Sequence, residues 1–309
     1  MSEILLSHPY LLSADDMNYN DIQLVFSRAK FFLENYKPGV KFDDLKGLTV
    51  ALAFFENSTR TRLSFELAAK RLSGDVFSFA AAQSSLAKGE SLIDTVKTIE
   101  AMGVQMYVIR HGSSGVPQFI QENTNGIVIN AGDGKHEHPT QSLLDAFTLQ
   151  RYFGKIEGLK VCIIGDILNS RVARSNITML NTLGAEVSVL APGTLLPPGI
   201  DKWPVKIINN IDEAVEWSNV LLLLRLQHER MSSGMLPTLR EYSKYFGITL
   251  EHFSRKPEMV LMHPGPVNYG VELEYEVSFF PNVLIETQVT HGVFIRMALL
   301  SLLAKFSKI

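Results

Sequence analysis

The chain has 309 residues, 46% of them hydrophobic and 20% charged, and a formal net charge of −3. That length suggests two domains with cores of their own, and the balance excludes a disordered or fibrous chain. The near-neutral charge provides no field to gather nucleic acid or anionic lipid, so an anionic ligand must be held by a few placed cations.

The first apolar run, Leu48–Phe55, reads as a strand. It is followed by Ser58-Thr59-Arg60-Thr61-Arg62 and a helical segment, Thr61–Leu72. Hydroxyls and an arginine at the start of a helix admit two readings. Ser58 or Thr59 caps its own helix and the arginines are solvated, or the group forms an anion site with the free amides and the positive end of the dipole.

A strand at Asp75–Phe79 leads to the polar loop Gln83–Glu90, then a helix at Ser91–Met102. Next come a strand at Gln105–Arg110, a helix at Val116–Asn123 and a strand at Gly126–Asn130. Gly132-Asp133-Gly134 and Lys135-His136-Glu137-His138 follow it. His136 and His138 have a spacing found in metal sites, but no cysteine or third ligand accompanies them, so no metal is expected and His136 reads as a loop residue. Pro139–Phe153 carries Leu143, Leu144, Ala146, Phe147 and Leu149 at the spacing of a long helix joining two halves.

The second half repeats the alternation. Strands are expected at Lys160–Gly165, Glu186–Leu190, Lys206–Asn209, Asn219–Leu224 and Met259–Met262, and helices at Arg171–Leu183, Ile211–Trp217 and Glu241–Phe253. The single cysteine, Cys162, lies in the first of these strands. It can form no intrachain disulfide and has no positive neighbour, so a buried packing residue in a reducing compartment is expected. A last apolar helix, Val293–Phe306, has no strand after it and is expected to pack back on the first domain. The segment Met1–Leu6 lacks the basic start and apolar stretch of a signal peptide. Apolar runs also fall short of the ~18 residues of a membrane span. A soluble, cytoplasmic protein without membrane or nucleic-acid partners is the expectation.

Strands spaced by helices imply an α/β fold with two doubly wound parallel sheets joined by a helix. Boundaries are expected at 1–150, 151–290 and 291–309, the last being the returning helix. Ligands of such sheets bind beyond the carboxyl ends of the strands. There the chain places Glu56–Thr61, Arg110-His111, Gly132–Gly134, Gly165-Asp166, Arg225-Leu226-Gln227 and His263-Pro264-Gly265-Pro266. No Walker run appears, and Gly165-Asp166-Ile167-Leu168-Asn169 is not a dinucleotide-binding turn, so no cofactor is expected.

Phe55-Glu56-Asn57-Ser58-Thr59-Arg60-Thr61-Arg62 resembles the carbamoyl-phosphate signature of the aspartate/ornithine carbamoyltransferase family. The resemblance continues through His138-Pro139-Thr140-Gln141, Gly165-Asp166 and His263–Pro266, in the family's order and spacing. It implies that residues 1–150 bind carbamoyl phosphate and 151–290 bind the amino acid. Ser58, Thr59, Arg60 and Thr61 would cradle the phosphate and Arg110 would reach phosphate and carbonyl. His138 and Gln141 would face the carbamoyl group, with Pro264, Gly265 and Pro266 lining the same ligand. Thr59, Arg60, Arg110, His138 and Lys88 would be the catalytic set, with Thr59, Arg110 and His138 donating to the oxygen that becomes negative.

Aspartate needs two cationic anchors, and Arg171 and Arg225, with Gln227 beside them, match that need. Ornithine enzymes usually carry a cysteine where Pro264 stands, so aspartate is the favoured acceptor. Arg174 and Arg230 read as surface or ion-pair residues. Where many relatives continue with Asn-Arg-Gly, this chain has Asn268-Tyr269-Gly270. Without the resemblance, residues 83–90 would read as a flexible polar loop. With it, Lys88 and Ser84 (or Ser85, in another register) reach into a neighbour's site within a homotrimer. The resemblance thus implies formation of N-carbamoyl-L-aspartate for pyrimidine synthesis, and leaves open regulatory or dihydroorotase-like partners around the trimer. Rival readings are a carbamoyltransferase for an N-modified ornithine or a ureido compound, and a non-catalytic homologue.

Overall fold

The computed structural model describes residues 5–80, 91–226 and 238–308. The chain divides into two compact units, residues 1–147 with 289–309, and residues 148–288.

The first unit begins with a helix, α1 (Tyr19–Asn35), in a stretch where the sequence reading places no element. Its start is well specified. Asn18 Oδ1 accepts from the Asn20 and Asp21 amides, and Asp21 returns a bond to the Asn18 amide. Ile22, Val25, Phe26, Ala29 and Phe32 then form one buried stripe at helical spacing.

The chain continues through β1 (Thr49–Phe54), α2 (Thr59–Arg71), β2 (Asp75–Ala80), α3 (Leu92–Ala101), β3 (Met106–His111), α4 (Val116–Gln121), β4 (Ile127–Asp133) and α5 (Pro139–Phe153). The four strands are parallel, in the order β2-β1-β3-β4. Ala51, Ala53, Tyr107, Ile109 and Val128 form one face and pack with Val96 and Ile99 of α3 and Ile120 of α4. Both faces are covered, which explains the near-continuous apolar strands.

The second unit holds β5 (Lys160–Ile164), α6 (Arg171–Thr182), β6 (Glu186–Leu190), β7 (Lys206–Ile207), α7 (Ile211–Trp217), β8 (Val220–Leu223), α8 (Leu239–Phe246), α9 (Leu250–Arg255) and β9 (Val260–Met262). Its parallel sheet has the order β7-β6-β5-β8-β9. Cys162 is fully buried among Ile164, Leu221, Leu223 and Leu261, and burial pushes its thiol up to about 12. Its side chain is part of the packing of this sheet's core.

Two helices differ from the sequence reading. The single helix expected over Glu241–Phe253 is broken at Gly247, where a Cβ would meet the Ser243 carbonyl oxygen at 2.5 Å and that of Val271 at 2.7 Å. Thr249 then caps a new helix with His252. The last helix, α10, spans Ile285–Leu303 and so starts well before Val293. From residue 289 onward it belongs to the first unit, where His291 meets Phe147, Phe294 meets Tyr36, and Ser301 donates to Asp44. Ile295, Met297, Ala298, Leu299, Leu300 and Leu303 are all fully buried, as the apolar second half of the helix requires. Among the described residues no helix is long and apolar enough to cross a membrane.

Candidate active site

In the first sheet the strand order reverses between β1 and β3, the place where open α/β sheets bind ligands. Phe54 lies across from Arg110 in register, and the Phe55 amide donates to the Arg110 carbonyl at 2.8 Å. Beyond β1 the chain turns into α2 with Ser58 at the cap position. Its backbone is extended, but its hydroxyl makes no capping bond. The side chain therefore does not satisfy the first amides of the helix, a disposition suited to an incoming anion. Thr59 and Arg60 are exposed and Thr61 is buried.

Arg110 is buried beside them. Its Nη1 donates to the Ala131 carbonyl at 3.0 Å and its Nη2 to Glu56 Oε1 at 3.2 Å. Glu56 supplies the opposite charge that burial of a guanidinium demands.

The third strand of the group, β4, ends at Asp133, which organises the turn that follows. Its carboxylate accepts from Asn130 Nδ2 at 2.8 Å, the Glu137 amide at 3.0 Å, the Gly115 amide at 2.7 Å and His136 Nδ1 at 3.1 Å. Burial pushes this carboxyl up. The bonds from His136, Gly115 and Asn130 outweigh that effect and hold it below the usual aspartate range. Gly134 sits in the left-handed region at φ +48, where a Cβ would come within 2.4 Å of Ser114 Oγ. The turn delivers His138, buried, whose carbonyl accepts from the Gln141 amide at 2.9 Å as α5 begins. Gln141 Nε2 donates to Asp145 Oδ1. His136 is half exposed, as a loop residue would be. Among the described residues no group of three His, Cys, Asp or Glu side chains is arranged to hold a metal ion.

The second sheet reverses between β5 and β8. Gly165 follows β5 at φ +131, where a Cβ would lie 2.9 Å from the Leu224 carbonyl oxygen, so only glycine lets these strand ends approach. Buried Asp166 accepts from the Asn169 amide at 3.0 Å and from Asn169 Nδ2 at 2.9 Å. Ser170 then caps α6, and Arg171, its first residue, is buried. Arg225 follows β8 and is half-buried. Arg174 lies over the Trp203 ring at 4.9 Å, a packing role.

After β9, His263 is held by hydrogen bonds at its amide and at Nδ1. Its amide donates to Gln288 Oε1 at 2.9 Å, and its Nδ1 accepts from the Gly265 amide at 2.8 Å. Its Nε2 lies 3.5 Å from Glu272 Oε1, which accepts from the Asn268 amide at 3.0 Å. The Nδ1 bond puts the proton of a neutral ring on Nε2, facing Glu272. Pro264, Gly265 and Pro266 are carried by this turn, with the Gly265–Pro266 peptide cis. Tyr269 stands edge-on to Tyr275 at 5.1 Å.

Ser58–Thr61 follow β1, Arg110 lies near the end of β3, and His138 and Gln141 follow β4, three adjacent strands of the first sheet. Arg171, Arg225 and Pro264–Pro266 follow three adjacent strands of the second. Ser84, Lys88 and Gln227 lie outside the described residues.

Residues 10–151 match the model of the aspartate/ornithine carbamoyltransferase carbamoyl-P binding domain, and 157–303 match that of the Asp/Orn binding domain. The chain belongs to the aspartate/ornithine carbamoyltransferase family. It is similar to the aspartate carbamoyltransferase catalytic subunit of Desulfitobacterium hafniense, 52% identical over 295 residues, covering 95% of each chain. That of Maricaulis maris is 49% identical over 300 residues, covering 96% of this chain and 93% of the relative. Among solved structures, aspartate transcarbamoylase from Trypanosoma cruzi with carbamoyl phosphate and aspartate bound superposes with a TM-score of 0.87 at 30% identity. The alignment covers 96% of this chain and 97% of that one. The catalytic subunit of M. jannaschii aspartate transcarbamoylase gives 0.85 at 32% identity, covering 97% and 99%.

Four carboxylates of this family member have no role in the sequence reading: Glu56, Asp133, Asp145 and Glu272. Each holds a group that the motifs do name. Glu56 stands inside the signature beside Ser58, and Asp145 lies one helical turn from Gln141, so a search for acceptors near the motif cations and amides could have found both.

Proposed function

We propose that this chain transfers the carbamoyl group of carbamoyl phosphate to the amine of L-aspartate, giving N-carbamoyl-L-aspartate and phosphate for pyrimidine synthesis. The observation that carries the reading is the convergence of Ser58–Thr61, Arg110, His138 and Gln141 on the carboxyl ends of β1, β3 and β4. Arg60 and Arg110 provide positive charge for the phosphate, joined by hydroxyls and the amides at the start of α2. Charge-assisted hydrogen bonds contribute about 1.5–3 kcal/mol each, enough in combination to hold a dianion. Arg171 and Arg225 provide the cations that two carboxylates require, with Gln227 as an additional contact.

In the reaction the aspartate nitrogen attacks the carbamoyl carbon and the carbonyl oxygen becomes negative. Thr59, Arg110 and His138 donate to that oxygen in the tetrahedral intermediate. The carbon–oxygen bond to phosphorus then breaks, phosphate leaves, and a proton passes from the attacking nitrogen to the departing phosphate. Main-chain carbonyls of Pro264 and Gly265 accept from the carbamoyl nitrogen and the attacking amine.

The reading includes a cytoplasmic homotrimer in which Ser84 and Lys88 of one chain serve the neighbouring chain's site. Its direct test is product analysis: the purified protein with both substrates should release equimolar phosphate and a species with the mass of N-carbamoylaspartate. Phosphate release without that product would reject it.

A further inference from the structure

Gln141 and Asp145 sit one turn apart on α5, both buried, with Gln141 Nε2 donating to Asp145 Oδ1 at 2.9 Å. A carboxylate only accepts hydrogen bonds, so it takes the NH2 end of the amide and turns Gln141 Oε1 the other way. Arg296 of α10 lies close enough to Asp145 for the two charges to act on each other. That guanidinium is buried, and burial draws its pKa down to about 10 against the opposing charge of Asp145. Its central carbon lies 5.0 Å over the Phe65 ring of α2. Gly292, one turn earlier, leaves it room, since a Cβ there would sit 2.7 Å from Arg296 Nη1. A buried pair of opposite charges contributes little net stability over an apolar pair of the same shape. Its presence beside a substrate-facing amide calls for another reason.

We propose that Asp145 is a positioning residue that holds Gln141 with Oε1 toward the carbamoyl NH2, so that the pocket recognises a carbamoyl and not merely an acyl phosphate. The inference rests on the carbamoyl-transfer reading, in which Gln141 faces that group. A flipped amide would set its NH2 against the substrate's NH2, donor against donor, and the bond would be lost. Acetyl phosphate has a methyl group at that position and makes no such bond in either orientation. Its binding is therefore indifferent to which end of Gln141 faces the ligand.

In Asp145→Asn the new side chain turns its oxygen to Arg296 and presents NH2 to Gln141, which flips. With the intact oligomer and saturating aspartate, KM for carbamoyl phosphate should rise about tenfold, the size of one lost hydrogen bond. The inhibition constant of acetyl phosphate should stay within about twofold. In a Gln141→Ala background the Asp145→Asn change should add nothing further to KM. Asp145→Asn/Arg296→Gln removes both charges together, keeps a folded protein available if the single change unfolds, and should show the same selective rise. The proposal is overturned if carbamoyl phosphate and acetyl phosphate weaken in parallel, if KM does not move, or if the effect persists without Gln141. Gln141→Ala with an unchanged KM would reject the carbamoyl contact itself. An impaired Gln141→Ala beside a normal Asp145→Asn would remove only the positioning role.

Discussion

Glu56 Oε1 stands 3.2 Å from Arg110 Nη2, joining the loop after β1 to the last turns of β3 across the point where the first sheet reverses direction. The bond aims a buried guanidinium that also donates to the Ala131 carbonyl. Glu56→Gln keeps the shape and removes the charge. Turnover should fall about tenfold, since a charge-assisted bond is worth roughly 1–2 kcal/mol more than a neutral one. Steady-state kinetics at saturating substrates, with thermal unfolding as the control, checks this. Unchanged turnover would mean that Glu56 does not orient Arg110.

Arg60 is exposed at the start of α2, so its removal costs the fold little. Arg60→Ala should abolish measurable turnover while circular dichroism and the melting temperature stay close to those of the parent. Activity within tenfold of the parent would remove Arg60 from the phosphate cradle.

Asp133 has a carboxyl held below its ordinary range, so it stabilises the fold when ionised, above the unfolded value of about 3.9. That contribution is lost as pH falls through the lower folded value. Asp133→Asn should therefore be less stable than the parent at pH 7, with the gap narrowing toward pH 3. Urea unfolding at several pH values reads it directly. A gap independent of pH would show that the charge of Asp133 does not contribute, only its shape.

The legible part of this chain was the part written in apolar runs and motif cations. Among the described residues, eight strands fall within a residue or two of the expected runs and β4 ends three residues later, because parallel strands buried on both faces stand out as continuous Val, Ile and Leu. Helix α1 was missed although Asn18 and Asp21 form a capping box, because its apolar stripe is interrupted by charged and polar residues on the exposed face. The break at Gly247 was hidden for the opposite reason: Tyr242, Phe246 and Phe253 keep helical spacing straight across it. Asp133 and Glu272 were unreadable because they act on Gly115 and His263 through contacts that only the folded chain makes. A charge argument for an anionic substrate looks for cations and passes over the carboxylates that aim them.

Lys88 and His138 give a test of the shared site. In the proposed cyclic trimer with heterologous contacts, each site would take His138 from one chain and Lys88 from the next. His138→Ala should cost about 2.7–4 kcal/mol in the barrier, as other oxyanion donors do. Lys88→Ala should also be inactive. Trimers reassembled from both mutants contain one junction of intact His138 with intact Lys88, so activity should return to about one site in three. Inactive mixed trimers, verified by mass, would place Lys88 outside the neighbour's chemistry.

The acceptor decides the central claim. In the proposed reading Arg171 and Arg225 favour an amino acid with two carboxylates and would repel the side-chain ammonium of ornithine. The most direct measurement is kcat/KM for L-aspartate and for L-ornithine at saturating carbamoyl phosphate, following the ureido product. The expected result is a specificity constant for aspartate more than a hundredfold above that for ornithine, roughly 3 kcal/mol or more of discrimination. Comparable constants for the two amino acids, or a preference for ornithine, would contradict it.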